Sequence, residues 1–177
     1  FAKSLGVRTI VTHVGFLPEN PYDPHYPALL VCLRKIAETL KADGQDFLFE
    51  TGQETPVTLL RTIEDIGFDN VGVNLDTANV ILYGKANPVD ALDVFGKYVR
   101  GVHCKDGLYP TNGRDLGKEV KIGEGKANLR EVIRKLYHLG YKGTLTIERE
   151  IEGEQQDLDI IEARDLLMQY VKEAEES

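Results

Sequence analysis

The chain of 177 residues is 42% hydrophobic and 28% charged, which is ordinary for a globular protein, and we expect residues 1–177 to form one domain. No apolar run approaches the ~20 residues that a membrane span requires and no signal peptide opens the sequence, so we expect a soluble, cytoplasmic protein without a membrane partner. A net charge of −8 with scattered basic residues disfavours a nucleic-acid partner.

In chain order, short apolar segments alternate with longer segments of helical periodicity, which is typical of parallel βα units. The segment before the first strand ends at Gly6 and resembles a final helical turn, so we expect part of the domain to precede Phe1. The predicted strands are nearly all apolar, as expected when both faces of a parallel sheet are buried. They are residues 9–14, 47–50, 71–76, 99–105 and 144–148.

The segments between these strands predict helices with defined ends. Thr55 before Pro56, and Asn87 before Pro88, each place a capping side chain ahead of a proline at the first helical position. Gly44 stands where a left-handed C-terminal cap belongs. Apolar stripes at spacings of three and four mark the first, fourth and last helices. The stripes comprise Leu29, Leu33, Ile36, Ala37 and Leu40, then Leu129, Val132, Ile133 and Leu136, and finally Leu158, Ile161, Leu167 and Tyr170.

The two cysteines, Cys32 and Cys104, lie inside apolar segments and have no CxxC partner. This pattern predicts small core residues rather than a disulfide framework or a zinc knuckle. Reduced thiols of this kind agree with the cytoplasm as the compartment.

Five strands and five helices predict an α/β fold, and specifically the C-terminal five βα units of a (β/α)₈ TIM barrel. A closed barrel takes ~250 residues, so this chain is too short to close by itself and N-terminal strands are expected to be missing. The alternative is a small open doubly wound sheet. We favour the barrel because no GxGxxG or other phosphate-binding loop follows the first strand.

Four of the predicted strands end on a residue that can bind a metal ion. These residues are Glu50, Asp76, His103 and Glu148. The carboxyl ends of barrel strands converge on one rim, where barrel enzymes place their chemistry, so we expect the four side chains to meet. For each residue alone, a helix-capping carboxylate or a hydrogen-bonded core histidine is the competing interpretation. Together they favour a metal site, because burying three carboxylates near one another is costly unless a cation neutralises them.

The donor set also predicts the metal. Three carboxylates and one imidazole form an oxygen-rich site, which favours Mn²⁺, Mg²⁺ or Co²⁺ over a structural zinc, although Zn²⁺ is compatible. Such a site leaves open coordination positions for substrate oxygens.

Several short motifs, in their order and spacing, give the chain a family resemblance. Besides the strand-ending Glu50, they are LDTAN (75–79), GVHCKDG (101–107), GEG (123–125) and TIERE (146–150). With these motifs the chain resembles the sugar phosphate isomerase/epimerase superfamily. These xylose isomerase-like TIM barrels include ketose 3-epimerases, hydroxypyruvate isomerase, inosose dehydratase and endonuclease IV-type nucleases.

The resemblance implies roles for the strand-end residues and a homo-oligomeric state. It makes Glu50, Asp76, His103 and Glu148 the ligands of a single metal ion, and the two glutamates the acid/base pair on opposite faces of a bound sugar. The chain has Asn79 where several epimerases and the nucleases have a histidine, and it lacks the Asp-x-His that the nucleases have after the residue matching His103. A three-zinc nuclease site is therefore incomplete, and DNA repair is disfavoured.

Four further residues are candidates for substrate binding: His13, Asn79, Lys105 and Arg114. His13 ends the first strand on the same rim, although a hydrogen-bonded core histidine is the competing interpretation. Lys105 lies two residues after His103 and so points to the same side, unless it only belongs to a Lys-Asp-Gly turn. Arg114 belongs to a long polar loop, residues 106–119, of the kind that covers a barrel mouth.

Three other polar residues are expected to lie outside the site. Arg149 alternates with Glu148, which predicts that it points away and braces a neighbouring loop. His25 in a proline-rich segment and His138 near a helix end are expected to face solvent.

These observations predict a metal-dependent isomerase or epimerase acting on a keto sugar, a sugar phosphate or a related polyol. One glutamate would remove a proton beside the metal-bound carbonyl, and the resulting enediolate would be reprotonated from the other face or at the other carbon. Two alternatives stay open: an inosose dehydratase-like lyase and a non-catalytic sugar-binding barrel.

Overall fold

The computed structural model describes all residues, 1–177, and its main sheet contains five parallel strands, each paired with the next one along the chain. All five predicted strands are present, although the first, fourth and fifth are shorter than predicted, and the sheet forms a parallel half-barrel. The strands are β1 (Thr9–Thr12), β2 (Asp46–Glu50), β3 (Val71–Asp76), β4 (Val99–Cys104) and β7 (Leu145–Ile147).

A second, antiparallel pair of strands was not predicted. It consists of β5 (Asp106–Leu108) and β6 (Lys118–Val120), which form a separate two-stranded sheet between β4 and β7 in the sequence. These strands are three residues long and polar, so they carry no periodic signal that sequence analysis could detect.

The helices form a layer along the sheet, in which α1 contacts α2, α2 contacts α4, α4 contacts α5, and α5 contacts α6. Their bounds are α1 (Tyr26–Ala42), α2 (Pro56–Ile66), α3 (Asn79–Leu82), α4 (Pro88–Phe95), α5 (Leu129–His138) and α6 (Glu154–Glu175). None of them combines the length and the apolar sequence that crossing a membrane requires.

The predicted helix ends are confirmed. Thr55 Oγ1 accepts the Thr58 N–H, and Asn87 Oδ1 accepts the Asp90 N–H at 2.9 Å, so both capping side chains satisfy backbone donors that the helix itself leaves free. Gly44 has a φ of 69°, the left-handed conformation expected after a helix.

The core lies between the sheet and the helix layer. All four apolar residues of the α5 stripe are buried, as are Leu33 and Ala37 of α1. Three members of the predicted stripes are exposed instead: Ile36, Leu158 and Ile161. In α6 three of the buried residues are spaced four apart. Leu158 and Ile161 do not belong to this series and therefore lie outside the buried face. The buried residues of this face include Asp159, Ala163 and Leu167.

The cysteine prediction is half right. Cys104 is fully buried at the end of β4, as expected. The core prediction for Cys32 is wrong, because Cys32 is exposed. It neighbours the buried Leu33 on α1, and adjacent positions on a helix point in different directions.

Candidate metal centre

The carboxyl ends of four strands bring four side chains to one point. Ligand atoms of Glu50, Asp76, His103 and Glu148 all lie within 4.8 Å of one another. The strand register explains this, because Asp76 pairs with His103 across β3 and β4, and Glu148 directly follows β7. The structure therefore brings together the residues that the sequence predicted as ligands, while their role as ligands stays a prediction.

Two buried threonines fix the backbone beneath the site. Thr51 Oγ1 donates to the Asp76 carbonyl at 2.9 Å and accepts the Asp76 N–H at 3.0 Å. Thr77 Oγ1 binds Lys105 in the same way, with distances of 2.5 Å to the carbonyl and 3.1 Å from the N–H. Each threonine follows a predicted ligand on its own strand and fixes a site residue on the next, so neighbouring strand ends hold one another in place.

Asp76 has two carboxylate oxygens with different surroundings. Its Oδ1 accepts backbone N–H groups from Ala78 at 2.8 Å and Asn79 at 2.9 Å. Its Oδ2 is buried and has no hydrogen-bond partner. Burial raises the pKa of Asp76, Lys105 opposes that rise, and the nearby Glu148 adds to it. Asp76 thus acts as a turn cap with one oxygen and leaves the other facing the cluster.

His103 lies between the two glutamates. Its Nδ1–H donates to Glu50 Oε1 at 3.0 Å, and Glu148 Oε2 lies 3.2 Å from the same nitrogen without hydrogen-bond geometry. The hydrogen bond to Glu50 raises the pKa of His103 and lowers the pKa of Glu50. Since β2 and β7 flank the β3–β4 pair in the sheet, Glu50 and Glu148 reach His103 from opposite sides of the cluster.

Lys105 adds a cation to this group of acids. Its Nζ lies 2.6 Å from Glu150 Oε2, 3.7 Å from Glu148 Oε2 and 3.8 Å from Asp76 Oδ2. Although burial opposes its charge, the hydrogen bond to Glu150 and the surrounding carboxylates raise the pKa of Lys105. The ammonium is therefore part of the electrostatic balance of the cluster.

These residues fit a divalent cation. Asp76 Oδ2 and Glu148 Oε2 are both buried without a hydrogen-bond partner, and orphaned buried oxygens are costly unless a cation or donor satisfies them. The carboxylates of Glu50, Asp76, Glu148 and Glu150 outnumber the single ammonium of Lys105, and a divalent ion would offset this excess of negative charge. Ligands held roughly 2.0 to 2.4 Å from an ion are at most about 4 to 5 Å apart, as the cluster is.

The four predicted substrate-binding residues differ in their placement. His13 is partly exposed beside the cluster, with its Nε2 3.9 Å from Glu50 Oε2. Lys105 lies within the cluster. Asn79 is buried and reaches Asp76 through its backbone N–H. Arg114 is exposed in the loop between β5 and β6, where its own N–H donates to Asn112 Oδ1, and it forms no hydrogen bond or ion pair with the cluster.

Residues outside the cluster support it, and sequence analysis missed most of them. Arg149 braces neighbouring segments as predicted, donating to Glu119 at 2.7 Å and to Asp159 at 2.8 Å. Glu119 also accepts the Glu150 N–H at 3.1 Å, which fixes the segment after β7. Glu150 could have been predicted from the sequence, because it lies two residues after Glu148 and therefore on the same side of an extended chain. His25 and His138 are exposed, as expected.

Asp106 organises the loop that follows β6. Its buried carboxylate accepts four backbone N–H groups at 2.8 to 3.0 Å. The donors are Gly107, Gly123, Gly125 and Ala127. The GEG motif therefore serves here as the backbone wrapped around Asp106, and a Cβ at Gly125 would lie only 2.1 Å from the Asp106 Oδ1.

Comparisons with known proteins point to one family. The profile of the xylose isomerase-like TIM barrel family matches residues 1–170. The chain is 28% identical over 186 residues to the uncharacterized protein MJ1311 of Methanocaldococcus jannaschii, covering 97% of this chain and 59% of that protein.

Solved structures share the fold. A xylose isomerase domain protein from Planctomyces limnophilus is 36% identical, with a TM-score of 0.90, over 99% of this chain and 62% of that one. A D-tagatose 3-epimerase-like protein is 25% identical, with a TM-score of 0.73, over 99% of this chain and 66% of that one. The chain thus spans about three fifths to two thirds of the length of the proteins it matches.

Proposed function

This chain belongs to the xylose isomerase-like TIM barrel family, and we propose that the protein is a divalent-metal-dependent isomerase or epimerase of a keto sugar, a sugar phosphate or a related polyol. The observation that carries the proposal is the convergence of Glu50, Asp76, His103 and Glu148 at the carboxyl ends of four parallel strands. The similarity to a D-tagatose 3-epimerase-like protein supports a ketose as the substrate class.

The four converging residues would hold the metal ion. Their oxygen-rich donor set favours Mn²⁺, Mg²⁺ or Co²⁺, and Zn²⁺ also fits. Solved structures of the same fold include a protein from Mycobacterium smegmatis in complex with magnesium and the IOLI protein with a zinc atom, at 19% and 18% identity. When bound, the ion would act as a Lewis acid that polarises the substrate carbonyl and so acidifies the neighbouring C–H.

The two glutamates would move the proton. Glu50 and Glu148 enter the cluster from β2 and β7, on opposite sides of the central strand pair. One carboxylate would take the proton from the carbon beside the carbonyl, and the other would return a proton from the opposite face. A carboxylate of ordinary basicity, with a pKa near ~4, is too weak a base for an unactivated C–H, so this step depends on the polarised carbonyl.

Two neighbours would orient the substrate. Lys105 is buried within the cluster and can place its ammonium beside a substrate oxygen, while the partly exposed His13 borders the cluster on the β1 side. Asn79 and Arg114 would also contact the substrate at this site. For Arg114 the proposal requires the loop between β5 and β6 to move over the cluster.

The proposal is tested by metal binding and by proton exchange. The purified protein would be freed of metal with a chelator, titrated with Mn²⁺, Mg²⁺, Co²⁺ and Zn²⁺ by calorimetry, and incubated with a panel of ketoses and ketose phosphates in D₂O. We expect stoichiometric binding of one ion and deuterium uptake at the carbon beside the carbonyl, with the chelated protein as the control.

Three other outcomes would lead to a different functional assignment or contradict the proposal. Metal binding with loss of water from the substrate would identify a lyase of the inosose dehydratase type. Metal and sugar binding without any proton exchange would identify a sugar-binding barrel. Failure to bind any of the four metals would contradict the proposal as a whole.

A further inference from the structure

The Lys105 ammonium lies among three carboxylates but forms a hydrogen bond with only one of them. The side chain is 2% exposed, and its Nζ is 2.6 Å from Glu150 Oε2. Glu148 Oε2 and Asp76 Oδ2 are 3.7 and 3.8 Å away, beyond hydrogen-bond distance. These two are the buried oxygens that have no hydrogen-bond partner.

The backbone of Lys105 is held in place by hydrogen bonds, so a backbone movement does not change the position of the ammonium. Thr77 Oγ1 binds both the N–H and the carbonyl of Lys105. The next residue, Asp106, is fixed by four backbone N–H groups. The position of Nζ therefore depends on the side-chain torsions of Lys105 and on the group to which the ammonium binds.

Glu150 is held in place from outside the main sheet. Its N–H donates to Glu119 of β6, and the preceding Arg149 is bound between Glu119 and Asp159 of α6. The side chain of Glu150 is 63% exposed, so Glu150 lies at the surface. The buried Lys105 side chain extends outward from the cluster to bind it. The ammonium is thus drawn toward the outer edge of the cluster.

Resting on the metal site of the proposed function, we propose that Glu150 is a positioning residue that holds the Lys105 ammonium away from Asp76 and Glu148 and so keeps both oxygens open to a divalent ion. Without Glu150, the ammonium would satisfy the two orphaned oxygens itself, because buried charges and acceptors without partners are costly. A lysine bound there would compete with the metal for its ligands and repel it.

A double-mutant cycle tests this coupling. Glu150→Gln, Lys105→Met and the double variant would be compared with wild type by calorimetric titration with Mn²⁺ at one pH and one ionic strength. Glu152→Gln is the matched control, because Glu152 is an exposed carboxylate two residues further along with no ion pair. Lys105→Gln provides a second lysine variant in case the methionine impairs folding, and thermal unfolding without metal checks each protein.

We expect Glu150→Gln to weaken Mn²⁺ binding about tenfold or more, while Glu152→Gln changes it by about threefold or less. Lys105→Met should bind Mn²⁺ more tightly than wild type, because it removes the competing cation. In the Lys105→Met background, Glu150→Gln should then have no larger effect than Glu152→Gln. A purely structural role of the pair would instead lower the unfolding temperature of every variant and leave the tighter binding by Lys105→Met unobserved.

The outcomes separate this inference from the proposed function. If wild type binds Mn²⁺ and Glu150→Gln behaves as Glu152→Gln does, the positioning role is overturned and the metal site stands. Additive effects of Glu150→Gln and Lys105→Met would also overturn the positioning role and leave the metal site intact. Mn²⁺ binding without proton exchange on any ketose would contradict the proposed reaction but not the role of Glu150. Absence of Mn²⁺ binding in wild type would overturn both.

Discussion

His103 Nδ1–H donates a 3.0 Å hydrogen bond to Glu50 Oε1, joining β4 to β2, two strands that are separated by β3 in the sheet. The bond spans the carboxyl ends of three strands, and the Asp76 carboxylate belongs to the same cluster. A divalent ion bound by these residues would take the place of the His103 proton, since a metal ligand must be deprotonated.

Asp76→Asn should weaken metal binding without disturbing the fold. The asparagine oxygen can still accept the Ala78 and Asn79 N–H groups, while an NH₂ group, which cannot bind a cation, replaces the oxygen that faces the cluster. Loss of a residue that only hydrogen-bonds to a metal ligand typically lowers metal affinity ~10 to 100-fold, so we expect the loss of a ligand itself to lower it at least that much. His103→Ala should behave alike. In both variants activity should fall with metal occupancy and recover in part with excess metal.

Calorimetric titration with Mn²⁺ and assays at several metal concentrations measure this effect. Asp115→Asn, an exposed carboxylate in the loop between β5 and β6, is the control and should match wild type. Undiminished Mn²⁺ affinity in Asp76→Asn would rule out Asp76 as a ligand.

Glu148→Gln should separate the role of Glu148 as a metal ligand from its role as a general base. Glutamine keeps the shape and one oxygen ligand but cannot accept a proton, so turnover should fall by ~10² to 10⁴-fold, the contribution typical of a general base, even at metal concentrations that saturate the variant. If Glu50 and Glu148 serve opposite faces of the substrate, the variant should still exchange a substrate proton with D₂O on one face without completing epimerisation.

Metal content, turnover and the position of deuterium in recovered substrate are the measurements, with Glu152→Gln as the control. Full turnover in a metal-loaded Glu148→Gln protein would contradict the two-glutamate mechanism, even with the fold and the metal site correct.

Glu54 should make the stability of the protein depend on pH. Burial raises the pKa of this carboxyl to about 7 from its ordinary value of 4.5, and its Oε1 has no hydrogen-bond partner. A raised folded-state pKa means that the contribution to stability is fully present below pH ~4.5 and is lost as the pH rises through ~7. The shift corresponds to an upper limit of about 3 kcal/mol.

Glu54→Gln removes this titration, so its free energy of unfolding relative to wild type should increase between pH 5 and 8 by about 1 to 3 kcal/mol. Urea unfolding at pH 5, 6.5 and 8 measures it, with the exposed Glu38→Gln as the control. An equal difference between Glu54→Gln and wild type at all three pH values would show that Glu54 does not titrate in this range.

Asp106→Asn should destabilise the protein far more than a surface substitution of the same kind. The amide has one acceptor oxygen, so its NH₂ group would face two of the four N–H donors that now bind the carboxylate. Hydrogen bonds to charged groups contribute ~1.5 to 3 kcal/mol each, and we expect a loss of about 2 to 4 kcal/mol in the free energy of unfolding.

The same urea experiment measures this loss, with Asp115→Asn expected to stay within about 0.5 kcal/mol of wild type. Equal stability of the two variants would mean that the loop does not depend on Asp106. A normal stability together with lost activity would instead assign Asp106 to the chemistry.

Local sequence patterns were sufficient to predict the parallel βα order and the four strand-end residues. Strand alternation, apolar runs and caps are local properties, and parallel strands carry their carboxyl ends to one rim by construction. For that reason Glu50, Asp76, His103 and Glu148 could be chosen before any distance was known. The bracing role of Arg149 followed from the same alternation with Glu148.

The groups that these residues contact could not be predicted, because those contacts form only in the folded chain. Glu119 and Glu150 come within reach of Arg149 and Lys105 through an antiparallel pair that leaves no periodic pattern, across separations of 30 and 45 residues. Arg114, in the same loop, does not reach the cluster. The charge balance around Lys105, the orphaned oxygens of Asp76 and Glu148 and the burial of Glu54 follow from long-range packing, because desolvation and Coulomb interactions depend on distances in space and not on distances along the chain.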